Sequence, residues 1–201
     1  MINTIILDIG NVLAHFRWKE CLKDCGYEEE IITKIRNATV HSETWKEWDR
    51  GARDEKELIE ECCNNDPSIA GEITEFFNQS AKWVKEYDYS AEFVKQLKAN
   101  GYKVYLLSNY SRGSFHYVKE DYNFYKHVDG GVISYEVKHI KPEPEIYEDL
   151  IRKYNINPTE AVFLDDMQAN LDGAKAFGFH TILVTEFEKA LEELRTLGVR
   201  V

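Results

Sequence analysis

No apolar run in the chain is longer than four residues, as at Val104-Tyr105-Leu106-Leu107, whereas a membrane-spanning helix needs about 20. The amino terminus, Met1-Ile2-Asn3-Thr4, lacks the basic and long apolar stretches of a secretory leader, so a cytoplasmic protein is the expectation. Basic residues are also in short supply. Twenty-five Lys and Arg stand against 36 Asp and Glu, a formal charge of −11. Nucleic-acid backbones and anionic bilayers both require a positive footprint, so neither is an expected partner. Only four prolines and four cysteines occur among 201 residues. They supply neither a Pro-rich linker nor a disulfide scaffold. Cys21, Cys25, Cys62 and Cys63 lack the C-x2-C spacing of a zinc knuckle and read as reduced packing residues.

What is present is a core-forming chain, 43% hydrophobic, of a length that suits one domain with a modest insertion. Ile2–Leu7 is short, apolar and β-branched, which predicts a buried strand, and Gly10-Asn11 marks a turn. From about His15 to Trp83 apolar residues recur at helical spacing, as in Ile31/Ile35 and Ile73/Phe76/Phe77, which predicts several short helices. Beyond that segment helices and strands alternate. A helix from Ser90 ends at Gly101, and strands follow at 103–107, 132–133, 161–164 and 180–184. Between them come helices reaching Tyr117, opening at Pro142 and Pro144, running to Gly178, and carrying Leu191/Leu194. Such alternation predicts an α/β fold, a Rossmann-like doubly wound parallel sheet. Ligands of such sheets sit beyond the carboxyl ends of the strands. Asp8, Ser108-Asn109 and Asp165-Asp166 all follow predicted strands, and Lys141 precedes a predicted helix.

Paired acids with a further aspartate suit a hard divalent cation, with Mg²⁺ the expected cofactor. A lysine and a hydroxyl beside it suit a phosphoryl group, and an aspartate there can act as nucleophile. Each residue alone has an ordinary reading as a turn, cap or surface residue. The combination, in this order on an alternating fold, is what points to a site.

Four segments carry a resemblance: Ile5-Ile-Leu-Asp8-Ile-Gly-Asn-Val12, Leu106-Leu-Ser108-Asn109, His139-Ile-Lys141-Pro142-Glu143-Pro144-Glu145-Ile146-Tyr147, and Val162-Phe-Leu-Asp165-Asp166. In order and spacing they resemble the four motifs of the haloacid dehalogenase-like (HAD) hydrolases: 100 residues separate Asp8 from Ser108, 33 separate Ser108 from Lys141, and 24 separate Lys141 from Asp165. The resemblance implies a discontinuous core, 1–14 and 84–201, with a helical cap inserted over 15–83. It implies Asp8 as nucleophile, Lys141 as its charge partner, and Ser108, Asn109 and Lys141 as phosphate ligands. Mg²⁺ would be held by Asp8, the Gly10 carbonyl and Asp166, with Asp165 nearby. Within the superfamily the chain looks most like sugar-phosphate phosphatases of the α-D-glucose-1-phosphate phosphatase type, to which Trp45-Lys-Glu-Trp48-Asp-Arg-Gly51 and Asn170-Leu-Asp-Gly173-Ala174 also fit.

The expected activity is therefore Mg²⁺-dependent hydrolysis of a small phosphorylated metabolite, a sugar 1-phosphate among the candidates, by a monomer or homodimer. His41, Trp45, Trp48 and Arg50 in the cap are candidate specificity residues, with at least one tryptophan expected only to pack the cap. The chain departs from the family pattern at Gly10, where most members carry a second aspartate as general acid. His15 or water is a candidate replacement, although hinge packing is the simpler role for His15. Two alternatives remain open. A 2-haloacid dehalogenase would use the same nucleophile without a metal, but normally has an aromatic residue at position 10. A binding or regulatory protein of the same fold would not need a nucleophile.

Overall fold

The computed structural model describes residues 1–201. In chain order its elements are β1 Thr4–Leu7, β2 Ala14–Phe16, α1 Trp18–Asp24, α2 Glu29–Ala38, α3 Glu43–Arg50, α4 Glu55–Asn65, α5 Ala70–Asn78, β3 Val84–Glu86, α6 Ser90–Ala99, β4 Lys103–Ser108, α7 Arg112–Asp121, β5 Gly130–Ile133, α8 Ser134–Val137, α9 Pro144–Tyr154, β6 Ala161–Asp165, α10 Gln168–Lys175, β7 His180–Leu183 and α11 Phe187–Thr196. Five strands form one parallel sheet in the order β5-β4-β1-β6-β7. The α/β expectation is met, with a parallel sheet at its centre. No helix is long and apolar enough to cross a membrane.

The central strands are apolar at consecutive positions because both faces of the sheet are covered. Side chains alternate across a strand, so Ile5, Leu7, Val104, Leu106, Val162 and Leu164 enter a 26-residue core on one face. Ile6, Tyr105, Leu107 and Phe163 enter a 13-residue core on the other. Each large side chain fully buried this way contributes roughly 1.5–3 kcal/mol. The register sets Leu7 beside both Leu106 and Leu164. The polar residues that follow, Asp8, Ser108 and Asp165, therefore emerge along one edge.

The segment between β1 and α6 gathers a third core of 13 buried residues, all between Cys21 and Trp83. Aromatic rings fill its middle, where Trp83 stacks on Phe76 at a centroid distance of 4.3 Å and Trp48 lies against Phe77 at 4.8 Å. All four cysteines are free thiols, and Cys21 and Cys62 are buried in this core.

Two local features differ from the sequence expectation. The helical segment is entered and left through a short antiparallel ribbon, with Ala14 opposite Glu86, His15 opposite Lys85 and Phe16 opposite Val84. Three-residue strands that are half-buried carry too little periodicity to be read from sequence. The helix after Lys141 begins at Pro144, not Pro142. A residue before proline is pushed out of the helical region; Glu143 is accordingly extended, and Pro144 takes the first helical position.

Phe163 has no solvent exposure and lies beneath the polar edge. Phe163→Ala should reduce unfolding free energy by about 3–5 kcal/mol, measured as a lower urea midpoint with an unchanged slope.

Candidate active site

The first turn after β1 shapes the site. Asn11 adopts a left-handed conformation (φ 53°), which asparagine tolerates better than most residues. Its side chain fastens both sides of the turn, donating from Nδ2 to Asp166 at 2.9 Å and accepting from the Phe16 amide at 3.1 Å. Asp8, just before this turn, is buried. Its Oδ1 accepts from the Ile9 amide at 2.7 Å, from Ser108 Oγ at 2.6 Å and from Lys141 Nζ at 2.9 Å. All three donors converge on one oxygen, so Oδ2 is left without a protein donor.

Lys141 is buried along with its charge. Its Nζ bridges Asp8 and Asp165 Oδ2, the latter at 2.6 Å, and lies 5.3 Å from the centroid of the Phe163 ring. Burial works against the ammonium, but Asp165 and Asp8 outweigh it and hold the lysine protonated beyond the ordinary range. Burial likewise pushes the Asp8 carboxyl up, with Lys141 opposing the rise. The lysine backbone is fixed by Asn109, whose carboxamide accepts from the Lys141 amide at 2.8 Å and donates to the Lys141 carbonyl at 3.0 Å. That side chain, expected to contact phosphate, is spent on placing the lysine.

Asp165 is fully buried, and its carboxylate is saturated by protein donors. Oδ1 accepts from the Met167 amide at 2.7 Å and Asn170 Nδ2 at 3.0 Å, and Oδ2 accepts from Lys141 and from Asn170 Nδ2 at 3.1 Å. Asp166 is more open, and burial raises its carboxyl above the usual range. Oxygen atoms of Asp8, Asp165 and Asp166 lie within 4.8 Å of one another. With Asp165 engaged on both oxygens, Asp8 and Asp166 are the carboxylates with capacity for a cation.

This edge floors a cleft of about 780 Å³, roofed by α3 and the loop before it. Gly10, His41, Trp45, Trp48 and Arg50 all border it, although His41 is exposed. Trp48 is buried against Phe77, whereas Trp45 is half-buried among Phe16, Phe76, Phe77 and Trp83. Both tryptophans therefore pack as well as wall the cleft. Arg50 is committed elsewhere. Its guanidinium forks onto Glu143 at 2.6 and 2.7 Å and meets Glu47 at 3.0 Å, which raises its pKa. It joins the helical segment to the core. His15 lies outside the cleft lining and stacks on Tyr87 in the ribbon, centroids 6.1 Å apart.

Sequence reasoning missed the positioning roles of Asn11 and Asn170, and it missed Asp49 in the cleft wall. The two asparagines stood within the motif segments, but their partners are 155 and 5 residues away, and only folding pairs them.

Residues 2–178 match the haloacid dehalogenase-like hydrolases. The chain is 25% identical over 192 residues to the sesquiterpene phosphatase astK of Aspergillus oryzae, covering 96% of this chain and 94% of that one. It is 34% identical to the D-ribitol-5-phosphate phosphatase of Bacteroides thetaiotaomicron over 86 residues, 40% of this chain and 42% of the relative. A HAD family enzyme from B. thetaiotaomicron, solved with magnesium and inorganic phosphate, superposes with a TM-score of 0.70 at 23% identity, covering 91% and 94% of the two chains.

Removing one member of a buried charge network leaves the others uncompensated. Lys141→Met should therefore destabilise the fold by about 3–5 kcal/mol, read from urea unfolding in EDTA. An unchanged midpoint would show that the lysine does not hold this edge together.

Proposed function

The chain belongs to the haloacid dehalogenase-like hydrolases, and we propose that within that family it is a Mg²⁺-dependent phosphatase acting through an aspartyl-phosphate on Asp8. The observation that carries this reading is the arrangement of donors on Asp8. Ser108 and Lys141 hold one oxygen and orient the carboxylate, and the other oxygen is left as nucleophile at the floor of the cleft. Lys141 offsets the charge that would otherwise repel an incoming phosphoryl group. Ser108 and Lys141 are the side chains we assign to phosphate binding. Asn109 contributes by fixing the lysine backbone.

The clustered carboxylates fit a hard cation. We assign Asp8 and Asp166 as its side-chain ligands, with the Gly10 carbonyl, and Asp165 as the partner of Lys141. Bound there, Mg²⁺ supplies Lewis-acid charge to the phosphoryl oxygens. The phosphatase and ribitol-phosphatase relatives, and the magnesium–phosphate complex of a structural neighbour, support the same chemistry.

We assign residues 15–83 as a cap over a core of 1–14 and 84–201. The separate 13-residue core of that segment and the β2–β3 ribbon at its root support the division. The cap would exclude bulk water during reaction and select the organic part of the ester. The rings of Phe16, Trp18, Trp45 and Trp48 in the cleft wall favour esters with an apolar or stackable face. A sugar 1-phosphate meets that requirement through the C–H face of its ring, and short acyclic polyol phosphates do so less well.

The test is phosphate release with and without Mg²⁺ across sugar, isoprenyl and aryl phosphates, with halide release from 2-haloacids measured alongside. Asp8→Asn should abolish turnover with the fold intact, and Asp166→Ala should remove Mg²⁺ dependence together with activity. Undiminished phosphate release in EDTA would remove the metal, and halide release in its place would establish the dehalogenase alternative.

A further inference from the structure

The phosphatase reading leaves the leaving-group oxygen without a proton donor, because position 10 is glycine. Expulsion of an alkoxide needs one, since charge builds on that oxygen in the transition state. Resting on that reading, we propose that Asp49, carried by helix α3 in the cleft roof, donates the proton in place of the side chain missing at Gly10.

Asp49 borders the same cleft as Asp8, Ser108 and Lys141. The other acids of its helix are paired, Glu43 with Lys46 and Glu47 with Arg50. The Asp49 carboxylate makes no hydrogen bond or ion pair to the protein; only its backbone carbonyl is engaged, accepting from Ser134 Oγ at 2.5 Å. That contact is one of several that dock the end of α3 onto the core, among them a hydrogen bond from Arg50 Nη1 to the Lys138 carbonyl at 3.3 Å. Arg50 forks onto Glu143, and Lys138 Nζ donates to the Gly51 carbonyl. Gly51 ends the helix in a left-handed conformation (φ 63°), and a Cβ there would lie 2.7 Å from that of Tyr135. The backbone at 49–51 is thus held on both sides, and its one unpaired side chain belongs to a residue lining the cleft that Asp8 and Lys141 also line.

The electrostatic setting suits a donor. Burial pushes the Asp49 carboxyl up to about 7, the Asp8 charge adds to the rise, and Lys141 opposes it. On its own helix the charges nearest in sequence, Glu47 and Arg50, neutralise each other, and Glu143 shares the same arginine. From the segment after β4 the facing group is Tyr110, whose buried hydroxyl titrates well above 10 and so yields its proton far less readily. His15 is stacked outside the cleft lining and His41 is exposed.

The step balances. Asp8 Oδ2 bonds to phosphorus as the ester P–O bond breaks, and the Asp49 proton passes to the departing oxygen, releasing an alcohol. Water then attacks the aspartyl-phosphate and gives its proton to the Asp49 carboxylate. Inorganic phosphate leaves, and both aspartates return to their starting forms.

The experiment compares benzyl phosphate, whose alkoxide needs a proton, with p-nitrophenyl phosphate, whose phenolate does not; neither offers a hydroxyl for Asp49 to bind. In Asp49→Asn, kcat/KM for benzyl phosphate should fall by about 10²-fold or more, and that for p-nitrophenyl phosphate by no more than about threefold. The same variant should show a burst of nitrophenolate as the aspartyl-phosphate accumulates. Gly10→Asp in that background should restore part of the benzyl rate, because a Cβ at Gly10 meets nothing within 4 Å and its φ is not left-handed. If Asp49→Asn fails to fold, the wild type decides. Its kcat/KM for benzyl phosphate should decline as pH rises through the Asp49 pKa, while that for p-nitrophenyl phosphate holds level. Equal losses on both esters, no loss, a raised KM at constant kcat, or matching pH profiles would overturn the assignment. A wild type that releases phosphate from no ester with Mg²⁺ present would instead overturn the phosphatase reading, and the Asp49 role with it.

Discussion

A single buried ammonium makes the carboxyl edge of the sheet possible. The parallel register brings Asp8 and Asp165 out side by side, and two carboxylates at that depth repel each other while losing water. Lys141 lies between them at 2.9 and 2.6 Å. Burying such a triad contributes little net stability, but once it is buried no member can be lost cheaply. The neighbouring polar groups are arranged around this constraint. Asn109 grips the lysine backbone, Asn170 and the Met167 amide fill the remaining lone pairs of Asp165, and Ser108 holds Asp8. The geometry that suits phosphoryl chemistry is therefore also the geometry that satisfies the buried charges.

The sheet was legible because its strands are buried on both faces. Ile5-Ile6-Leu7 and Val162-Phe163-Leu164 are uninterrupted apolar runs, and each ends abruptly in aspartate. The β2–β3 ribbon was not legible, since His15 and Glu86 are half-buried polar residues and Lys85 is exposed. Its pairing depends on two segments meeting that lie about 70 residues apart in the chain.

The site divided in the same way. Asp8, Ser108, Lys141 and the Asp165-Asp166 pair were readable because strand ends and spacing place them together. Arg50 reads from sequence as a group facing substrate, but Glu143, 93 residues on, claims its guanidinium. Asp49 stands in a run of mixed charges, Glu43 to Arg50, where nothing local distinguishes it. It becomes conspicuous only after its neighbours have paired with one another and the helix end has been docked. At least one of Trp45 and Trp48, three apart, was expected only to pack; both pack and both line the cleft, because the aromatic core of the helical segment and the cleft share a wall.

Helix α3 is only eight residues long, yet Trp45, Trp48 and Asp49 on it all border the cleft, and Arg50 fastens it to the core. A short rigid rod cannot move one of these without moving the rest. Reshaping the tryptophan wall would therefore also shift Asp49 and loosen the docking of the helix onto the core. Replacements of either tryptophan should be tolerated best together with compensating changes at Glu143, Ser134 or Lys138, and seldom alone.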